Sequence, residues 1–200
     1  MEGDPWSPLA THPPRAEGFC YNQDMAYPFT PQVSFPLDSY RVNSYRFKQP
    51  CSYDQVYWGL HLGEDVNRRA GTPVFCIGRG KVVYSVLHSG SAERKNWGNI
   101  IIVAHKHPQT RVVFFSLYAH LGERTVQKGK LVTLGQKIGV VGASNTPENG
   151  QWKEAHLHFG IYTGPWRGKV LPGYWKKGSR RTQLKYWQNS SAFIKNYRTD

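Results

Sequence analysis

Residues 155–162 read AHLHFGIY, and this stretch decides the fold that the chain is expected to adopt. Successive side chains of a β-strand point to opposite faces, so His156 and His158 share one face while Leu157 and Phe159 share the other. The leucine and the phenylalanine mark a strand that contributes to a core. Two imidazoles on one face of such a strand therefore indicate a chemical site.

Two upstream segments supply further donor groups. HLGED at residues 61–65 places His61 and Asp65 four residues apart around Gly63, a spacing that in a tight loop brings a nitrogen and an oxygen to one ion. YAHL at residues 118–121 adds His120, which we expect at the end of a strand, at the edge of the sheet.

This set is larger than one catalytic zinc requires. Such a zinc takes three nitrogen or carboxylate ligands from the protein and leaves the fourth position to water, which becomes a nucleophile near neutral pH. Two histidines would then remain for proton transfer. Strand alternation does not decide which of His156 and His158 is the ligand.

The composition favours an all-β core. Apolar residues make up 39% and aromatic residues 14%, and the 20 Gly and 13 Pro suit short strands joined by many turns. We predict that residues 73–77 pair with 81–87 as a hairpin across Gly78 and Gly80, and that 99–104 pair with 111–121. A polar loop at 142–154 is long enough to border the site.

At 200 residues the chain has room for one catalytic domain with extensions. We assign residues 1–55 to a loop-rich N-terminal arm, 56–164 to the catalytic domain and 165–200 to a C-terminal extension. The extension carries nine Lys or Arg, with Asp200 as its only acid, interleaved with aromatic residues. These side chains either grip a polymer, by charge and ring stacking, or cover the core. Residues 191–196 are predicted to form a short helix.

The net charge is +13, from 26 Lys and Arg against 13 Asp and Glu. It favours an anionic partner, such as nucleic acid, anionic lipid or an acidic wall polymer, or it is solvated surface. No nucleic-acid recognition motif accompanies the charge, so we expect no nucleic-acid partner. No apolar run reaches the length of a membrane span, and residues 1–25 lack the features of a signal peptide.

The three cysteines form no Cys-x-x-Cys pair, which argues against a structural zinc knuckle. We expect Cys76 to pack as a small apolar group. A disulfide between Cys20 and Cys51 is a further hypothesis.

In their order along residues 61–162, these segments resemble the lysostaphin-type (LytM-like) zinc endopeptidases, which cut peptide bonds in bacterial peptidoglycan. The resemblance rests on HLGED, YAHL and HLHF together with four further motifs, which are GTPV at 71–74, GKVV at 80–83, WGN at 97–99 and GQKIG at 135–139. It implies an antiparallel β-sheet core, a LytM-like barrel-sandwich hybrid, crossed by a narrow active-site groove.

The resemblance also implies roles for the site residues. Zn2+ would be bound by His61, Asp65 and His158, while His120 and His156 would act beside it. One of these two imidazoles would accept a proton from water, and the other would hydrogen-bond the developing oxyanion or protonate the leaving amine. The sequence does not assign these two roles between them.

The chain departs from the family pattern at two places. The family commonly turns tightly after GVVG at 139–142, whereas this chain continues with a long polar loop before the paired histidines. Gly160 stands where an acidic residue is frequent, which would weaken hydrogen-bond support behind the ligands without removing one.

Other titratable residues are expected to stay outside the chemistry. Glu64 competes as a catalytic base, but beside Asp65 it should point away, and it lacks the helical setting of the HExxH zinc peptidases. His105 is expected to be a hydrogen-bonded structural residue. We interpret His12, His88 and His107 as solvated loop residues.

The sequence thus predicts a zinc metalloendopeptidase that hydrolyses peptidoglycan cross-links or stem peptides. The alternatives are a non-catalytic wall-binding or regulatory module of the same fold, a nucleic-acid binder and a non-haem iron oxygenase, whose usual triad is also two histidines and a carboxylate. Expected partners are a peptidoglycan peptide and anionic wall polymers at the basic extension. We expect a monomer that is secreted or held in the cell envelope, or a phage lysis enzyme.

Overall fold

The computed structural model describes residues 27–53 and 55–198, and β-strands dominate them. In chain order the strands are β1 (Pro50–Tyr53), β2 (Val56–His61), β3 (Glu64–Asn67), β4 (Pro73–Phe75), β5 (Gly80–His88), β6 (Gly98–Lys106), β7 (Val113–Arg124), β8 (Leu131–Val132), β9 (Lys137–Val141), β10 (His156–Tyr162), β11 (Tyr174–Trp175) and β12 (Trp187–Gln188). A 3-10 turn, Leu184–Tyr186, precedes β12, and a helix, α1 (Ser190–Tyr197), follows it.

Strand β10 lies inside the larger sheet, with a paired strand on each side, and is buried along its whole length. It pairs with β7 along one edge, and with β3 and then β12 along the other. His158 lies opposite Asp65 of β3 and opposite Ala119 of β7. The segments that carry the predicted site residues are therefore neighbours in the sheet.

The larger sheet runs in the order β12-β10-β7-β6-β5-β8, and β9 joins it through β7 and also pairs with β4. A second sheet has the order β1-β2-β11. All pairings between these strands are antiparallel. The predicted all-β, antiparallel fold class is confirmed.

Both faces of the larger sheet are buried. Along β6, Ile101 and Val103 belong to one apolar cluster, whereas Ile100 and Ile102 belong to another on the opposite face. Such near-continuous burial explains why residues 100–104 read as an unbroken apolar run instead of alternating with polar residues. The sheet is thus a rigid support for the site residues that its strands carry.

One of the two predicted strand pairings is confirmed and the other is wrong. Strands β6 and β7 pair as expected, but β4 pairs with β9 while β5 pairs with β6 and β8. Gly78 and Gly80 do not form a hairpin turn. They permit close packing instead, because a Cβ at Gly78 would lie 2.4 Å from Thr30 Oγ1 and one at Gly80 would lie 2.4 Å from Val103 Cγ1.

The described part of the N-terminal arm is packed on the sheets. Val33 and Leu37 are buried in the same cluster as the core of β10. The backbone amide of Asp65 donates to the carbonyl of Tyr45 at 2.8 Å, and the amide of His61 donates to the carbonyl of Gln49 at 2.9 Å. The arm thus completes the hydrogen bonding of two segments that carry site residues.

The cysteines of the described residues are buried and free. Cys76 is fully buried in the core, as expected, and its thiol donates to the carbonyl of Gly78 at 3.1 Å. The proposed partner of Cys51, Cys20, lies outside the described residues.

The C-terminal extension adds strands to both sheets and covers their edges. Strand β11 pairs with β2, and β12 pairs with β10. Trp187 is 3% exposed, and half-buried Trp166 and Tyr186 pack against the same apolar cluster. These three aromatic side chains therefore cover the core, while most of the Lys and Arg side chains of the extension are exposed.

Helix α1 confirms the helix predicted at 191–196. It begins after Asn189, whose side chain accepts a hydrogen bond from the amide of Ala192, and it buries Phe193 and Ile194 in the core. Within the described residues, no helix has the length and apolar character needed to cross a lipid bilayer.

Candidate active site

Donor atoms from three of the predicted site residues lie close together. His61 Nε2 lies 3.0 Å from His158 Nδ1 and 3.3 Å from Asp65 Oδ1, and the last two atoms are 2.9 Å apart. All three side chains are buried. Ligand distances of about 2.0–2.1 Å around a tetrahedral zinc separate its ligand atoms by about 3.3 Å. This triangle therefore has the size of a face of a zinc site.

The hydrogen bonding of His61 tests whether a cation fits here. Its Nδ1 lies 3.3 Å from the carbonyl oxygen of Arg46, which favours the tautomer with the proton on Nδ1. Nε2 then presents a lone pair to the Asp65 carboxylate. Two electron-rich atoms this close repel each other unless a cation lies between them. The donor set fits a zinc ion.

Burial and the neighbouring histidines shift the pKa of Asp65 in opposite directions. Burial alone would raise the pKa of its carboxyl, but the neighbouring His61 and His158 hold that pKa well below its usual range. For His158, burial lowers the pKa to about 4 against the opposing hydrogen bond of Asp65. The pair is thus a carboxylate and a neutral imidazole, the protonation states in which both bind metals.

Gly63 makes room for the His158 ring. A Cβ at this position would lie 2.7 Å from His158 Nε2 and 2.7 Å from the carbonyl oxygen of Phe159. That buried Nε2 has no hydrogen-bond partner within the described residues. His158 Nδ1, which lies within 3.0 Å of His61 Nε2 and Asp65 Oδ1, is the nitrogen that faces the site.

His120 lies beside this triangle, inside β7 and not at its end. The expectation of a strand terminus at the sheet edge is wrong, because β7 continues to Arg124 through an irregularity in its pairing. His120 adopts a left-handed backbone, with φ of 63°, that is uncommon for a non-glycine residue. Its amide donates to the carbonyl of Trp97 and its carbonyl accepts from the amide of Gly142, which hold the irregular backbone in place.

The His120 ring has one nitrogen tied to the protein and the other free. Nδ1 lies 3.1 Å from the carbonyl oxygen of Asn149, so it carries the proton and Nε2 is left as an acceptor. Burial, and then the neighbouring His156 and His158, hold the pKa of His120 well below its usual range. The ring is therefore neutral at physiological pH.

His156 repeats the arrangement of His120. Its Nδ1 lies 2.9 Å from the carbonyl oxygen of Glu154, and its Nε2 lies 4.0 Å from Asp65 Oδ2. The rings of His120 and His156 have their centroids 4.6 Å apart. The two imidazoles, each with its Nδ1 at a backbone carbonyl, thus lie together beside the triangle formed by His61, Asp65 and His158.

The loop at 142–154 forms a wall of the site and is held by its own hydrogen bonds. Asn149 is fully buried; its Oδ1 accepts from the amide of Trp152, and its Nδ2 donates to the carbonyls of Trp152 and Glu154. The indole Nε1 of Trp152 donates to the carbonyl of Asn96 at 2.9 Å. The loop that departs from the family pattern therefore supplies the carbonyls that orient His120 and His156.

A groove with a volume of about 240 Å³ opens over His120 and His158. Four aromatic side chains and two cations dominate its walls. The lining residues are Trp58, Lys95, Asn96, Trp97, His120, Trp152, His158, Pro172, Gly173, Tyr174 and Arg181. The aromatic wall was not foreseen, although WGN at 97–99 and the tryptophan in the long loop were signals for two of its members.

Glu64 lies outside the site, as expected. Its Oε2 accepts hydrogen bonds from the hydroxyl of Tyr40 at 3.0 Å and from the amide and hydroxyl of Ser191 at 3.0 and 2.7 Å. A carboxylate at the start of α1 stabilises that helix end. Glu64 thus joins the C-terminal helix to the strand that carries Asp65.

For the other described histidines, one prediction is confirmed and two are wrong. His105 is structural, with Nδ1 2.9 Å from the carbonyl of Arg79 and Nε2 2.8 Å from Ser116 Oγ. His107 is not a solvated loop residue, because it is 9% exposed and packs on Tyr197. His88 is also no loop residue, since it ends β5 and its Nε2 lies 2.8 Å from the hydroxyl of Tyr84. His12 lies outside the described residues.

Gly160 has a packing role at the position where the family often has an acid. A Cβ there would lie 3.2 Å from Cζ3 of Trp187 and 3.3 Å from the carbonyl oxygen of Leu62. The glycine therefore lets the buried tryptophan of the extension lie against β10.

Residues 59–170, more than half of the chain, match the model of peptidase family M23. The chain belongs to peptidase family M23. It is 34% identical over 101 residues to the peptidoglycan DD-endopeptidase ShyB of Vibrio cholerae, an alignment that covers 50% of this chain and 20% of that protein. It is 30% identical over 103 residues to the uncharacterized lipoprotein YgeR of Escherichia coli K12, covering 52% of this chain and 35% of that protein. The chain thus spans about a fifth to a third of the length of these two relatives.

The fold of the chain is that of M23 peptidases of known structure. The antimicrobial peptidase lysostaphin from Staphylococcus simulans superposes with a TM-score of 0.54 at 24% identity, over 84% of this chain and 55% of that chain. The predicted resemblance to the lysostaphin-type family is confirmed.

Proposed function

We propose that this M23 chain is a zinc-dependent endopeptidase that hydrolyses peptide bonds of bacterial peptidoglycan. The observation that carries the proposal is the convergence of three donor atoms within 3.3 Å of one another, beside two further imidazoles. The relative named as a peptidoglycan DD-endopeptidase supports the substrate class. A site with every member of the predicted set brought together favours catalysis over a non-catalytic wall-binding module.

His61 through Nε2, Asp65 through Oδ1 and His158 through Nδ1 would hold the zinc ion. When bound, zinc polarises a substrate carbonyl and lowers the pKa of water to near neutrality. The carboxylate and two neutral imidazoles leave a net positive charge on the site. The carbonyl of Arg46 supports His61 from behind and fixes which of its nitrogens faces the site.

His120 and His156 would handle the protons of the reaction. Each has Nδ1 at a backbone carbonyl, so each can receive a proton at Nε2 without turning its ring. One imidazole would accept the proton of the attacking water. The other would hydrogen-bond the oxyanion and deliver a proton to the leaving amine, whose release completes hydrolysis.

Cleavage and metal binding are tested together with purified cell walls. The zinc-loaded protein should release new amino termini, and a chelator should abolish the release. Asp65→Ala should lose both zinc and activity, whereas His120→Ala should keep zinc and lose activity. Wall binding without any cleavage by the zinc-loaded protein would favour the non-catalytic module, and full activity of Asp65→Ala would reject the ligand assignment.

The proposed substrate places the chain's action in the cell envelope or outside the cell. Relatives named as a lipoprotein and as a peptidoglycan endopeptidase agree with this location. Fractionation of the producing cells, with the chain followed by antibody, tests it.

A further inference from the structure

The C-terminal extension encloses a second depression, which is lined by none of the five predicted site residues. Its volume is about 430 Å³, larger than the groove over His120. Four cationic side chains stand around it, and they are Arg167, Lys169, Arg180 and Arg181. We call it the basic depression.

The cations of the basic depression lack counter-charges within the described residues. No acidic side chain lines the depression, and none of the four cations forms an ion pair in the part of the chain that the structure describes. Like charges held close together without partners repel one another, and an anionic ligand relieves this repulsion. The charge pattern therefore indicates a carboxylate or phosphate ligand.

The floor beneath these cations is fixed. The indole of Trp166 donates to the carbonyl of Lys169 at 2.9 Å, and the hydroxyl of Tyr162 donates to the carbonyl of Pro165 at 3.2 Å. Tyr162 also packs on buried Trp187, with ring centroids 5.1 Å apart. The segment that carries Arg167 is thus anchored to the core, so its cation is presented from a rigid base.

The basic depression adjoins the groove over His120 and His158. Pro172 and Arg181 line both of them. A ligand that lies in the groove over His120 and His158 can therefore extend past Arg181 into the depression.

We infer that the basic depression binds a free carboxylate of the same peptidoglycan peptide whose bond lies in the groove. The inference rests on the proposed function, since it takes the occupant of the groove to be such a peptide. Three of the four cations are arginines, whose planar guanidinium groups bind carboxylates through paired hydrogen bonds. Stem peptides carry free carboxylates at chain ends and on acidic residues, so the substrate itself supplies the anion.

Binding is measured by calorimetry in the zinc-loaded His120→Ala variant, so that no cleavage occurs. The probes are a stem peptide with free carboxylates and the same peptide with those carboxylates amidated. The free acid should bind about tenfold more tightly than the amide. Adding Arg167→Gln and Arg180→Gln should remove most of this preference, while the affinity for the amide stays within about twofold.

A matched pair of lysines controls for net charge. Lys128 and Lys177 are exposed and line neither the groove nor the basic depression. Adding Lys128→Gln and Lys177→Gln instead should keep the preference for the free acid. Equal binding of acid and amide, a preference that survives Arg167→Gln with Arg180→Gln, or an equal loss in the lysine variant would each overturn the inference.

The same measurements separate this inference from the proposed function. If the wild-type protein cuts no wall peptide but still prefers the free acid through Arg167 and Arg180, the basic depression stands and the endopeptidase proposal fails. If the wild-type protein cuts acid and amide peptides equally and binds both alike, the endopeptidase proposal stands and the depression has no such role. Inorganic phosphate that displaces the acid peptide only in proteins with Arg167 and Arg180 would show that phosphate anions share the site.

Discussion

His120 Nδ1 lies 3.1 Å from the carbonyl oxygen of Asn149, and this contact joins a proposed catalytic ring to the loop that departs from the family pattern. The carbonyl is in turn held by the buried side chain of Asn149, which spans the loop to Trp152 and Glu154. The loop at 142–154 thus sets the tautomer of His120.

Asn149→Ala should lower kcat by about ten- to a hundredfold, because the loop loses the bonds that position the carbonyl behind His120. Steady-state kinetics on a defined peptidoglycan peptide measures this, with zinc content determined in parallel. Zinc content should stay unchanged. Ser144→Ala, on the exposed part of the same loop, is the matched control and should keep wild-type kinetics. Wild-type kcat in Asn149→Ala would show that the ring orients itself without the loop.

Glu64 and Asp65 are adjacent, but replacing Glu64 should reduce stability, whereas replacing Asp65 should remove zinc. Glu64→Ala leaves the hydroxyls of Tyr40 and Ser191 and the Ser191 amide without their acceptor, which should cost about 2–4 kcal/mol of unfolding free energy. Zinc content should be that of the wild type. Urea unfolding and metal analysis provide the two measurements. Loss of zinc from folded Glu64→Ala would contradict the purely structural role.

Because the pKa of His105 is lowered in the folded protein, the free energy of unfolding should decrease in acid. Burial lowers the pKa of His105 to about 4, against an ordinary value of about 6.5 in the unfolded chain. The unfolded chain therefore binds the extra proton as the pH falls from 6.5 to 4, and over this window the free energy of unfolding decreases by about 3 kcal/mol. Above pH 6.5 both states are neutral and His105 adds no pH dependence.

His105→Gln tests this by removing the titrating group while keeping polar atoms near Arg79 and Ser116. Chemical unfolding of both proteins at a series of pH values, with zinc removed by a chelator, should give a shallower slope for the variant between pH 6.5 and 4. His120 and His158 titrate in both proteins, so the difference between the two slopes reports on His105. Parallel slopes would contradict the lowered pKa.

Gly160→Ala should destabilise the protein by about 1 kcal/mol, because the new methyl group presses on the Trp187 ring. Trp187→Phe removes the ring atom that the methyl group meets. In that background Gly160→Ala should cost less, and a double-mutant cycle by thermal unfolding measures the coupling. An equal cost in both backgrounds would place the strain at the carbonyl of Leu62.

Local sequence patterns predicted well which side chains face the candidate site. The alternation in AHLHFGIY correctly separates His156 and His158 from Leu157 and Phe159, since a strand allows no other arrangement. The four-residue spacing of His61 and Asp65 also predicted correctly that their side chains lie close together. These features depend on residues within one strand or one tight turn.

Features that depend on distant contacts were not predictable in the same way. The left-handed backbone of His120 is held by Trp97 and Gly142, which are remote in sequence. The glycines at 78 and 80 resembled a hairpin turn, but their role is set by Thr30 of the N-terminal arm and Val103 of β6. Glycine marks both tight turns and close packing, and the sequence alone does not distinguish them.

The backbone hydrogen bonds that the amides of Asp65 and His61 donate to the carbonyls of Tyr45 and Gln49 have a practical consequence for protein engineering. The match to the M23 model begins at residue 59, so a chimeric enzyme built from residues 59–170 would receive all five site residues but not the chain behind two of them. Glu64 would likewise lose Ser191. A transplanted unit that keeps these contacts must reach at least from Tyr45 to Ser191, and a module exchanged at the family boundaries would lose them.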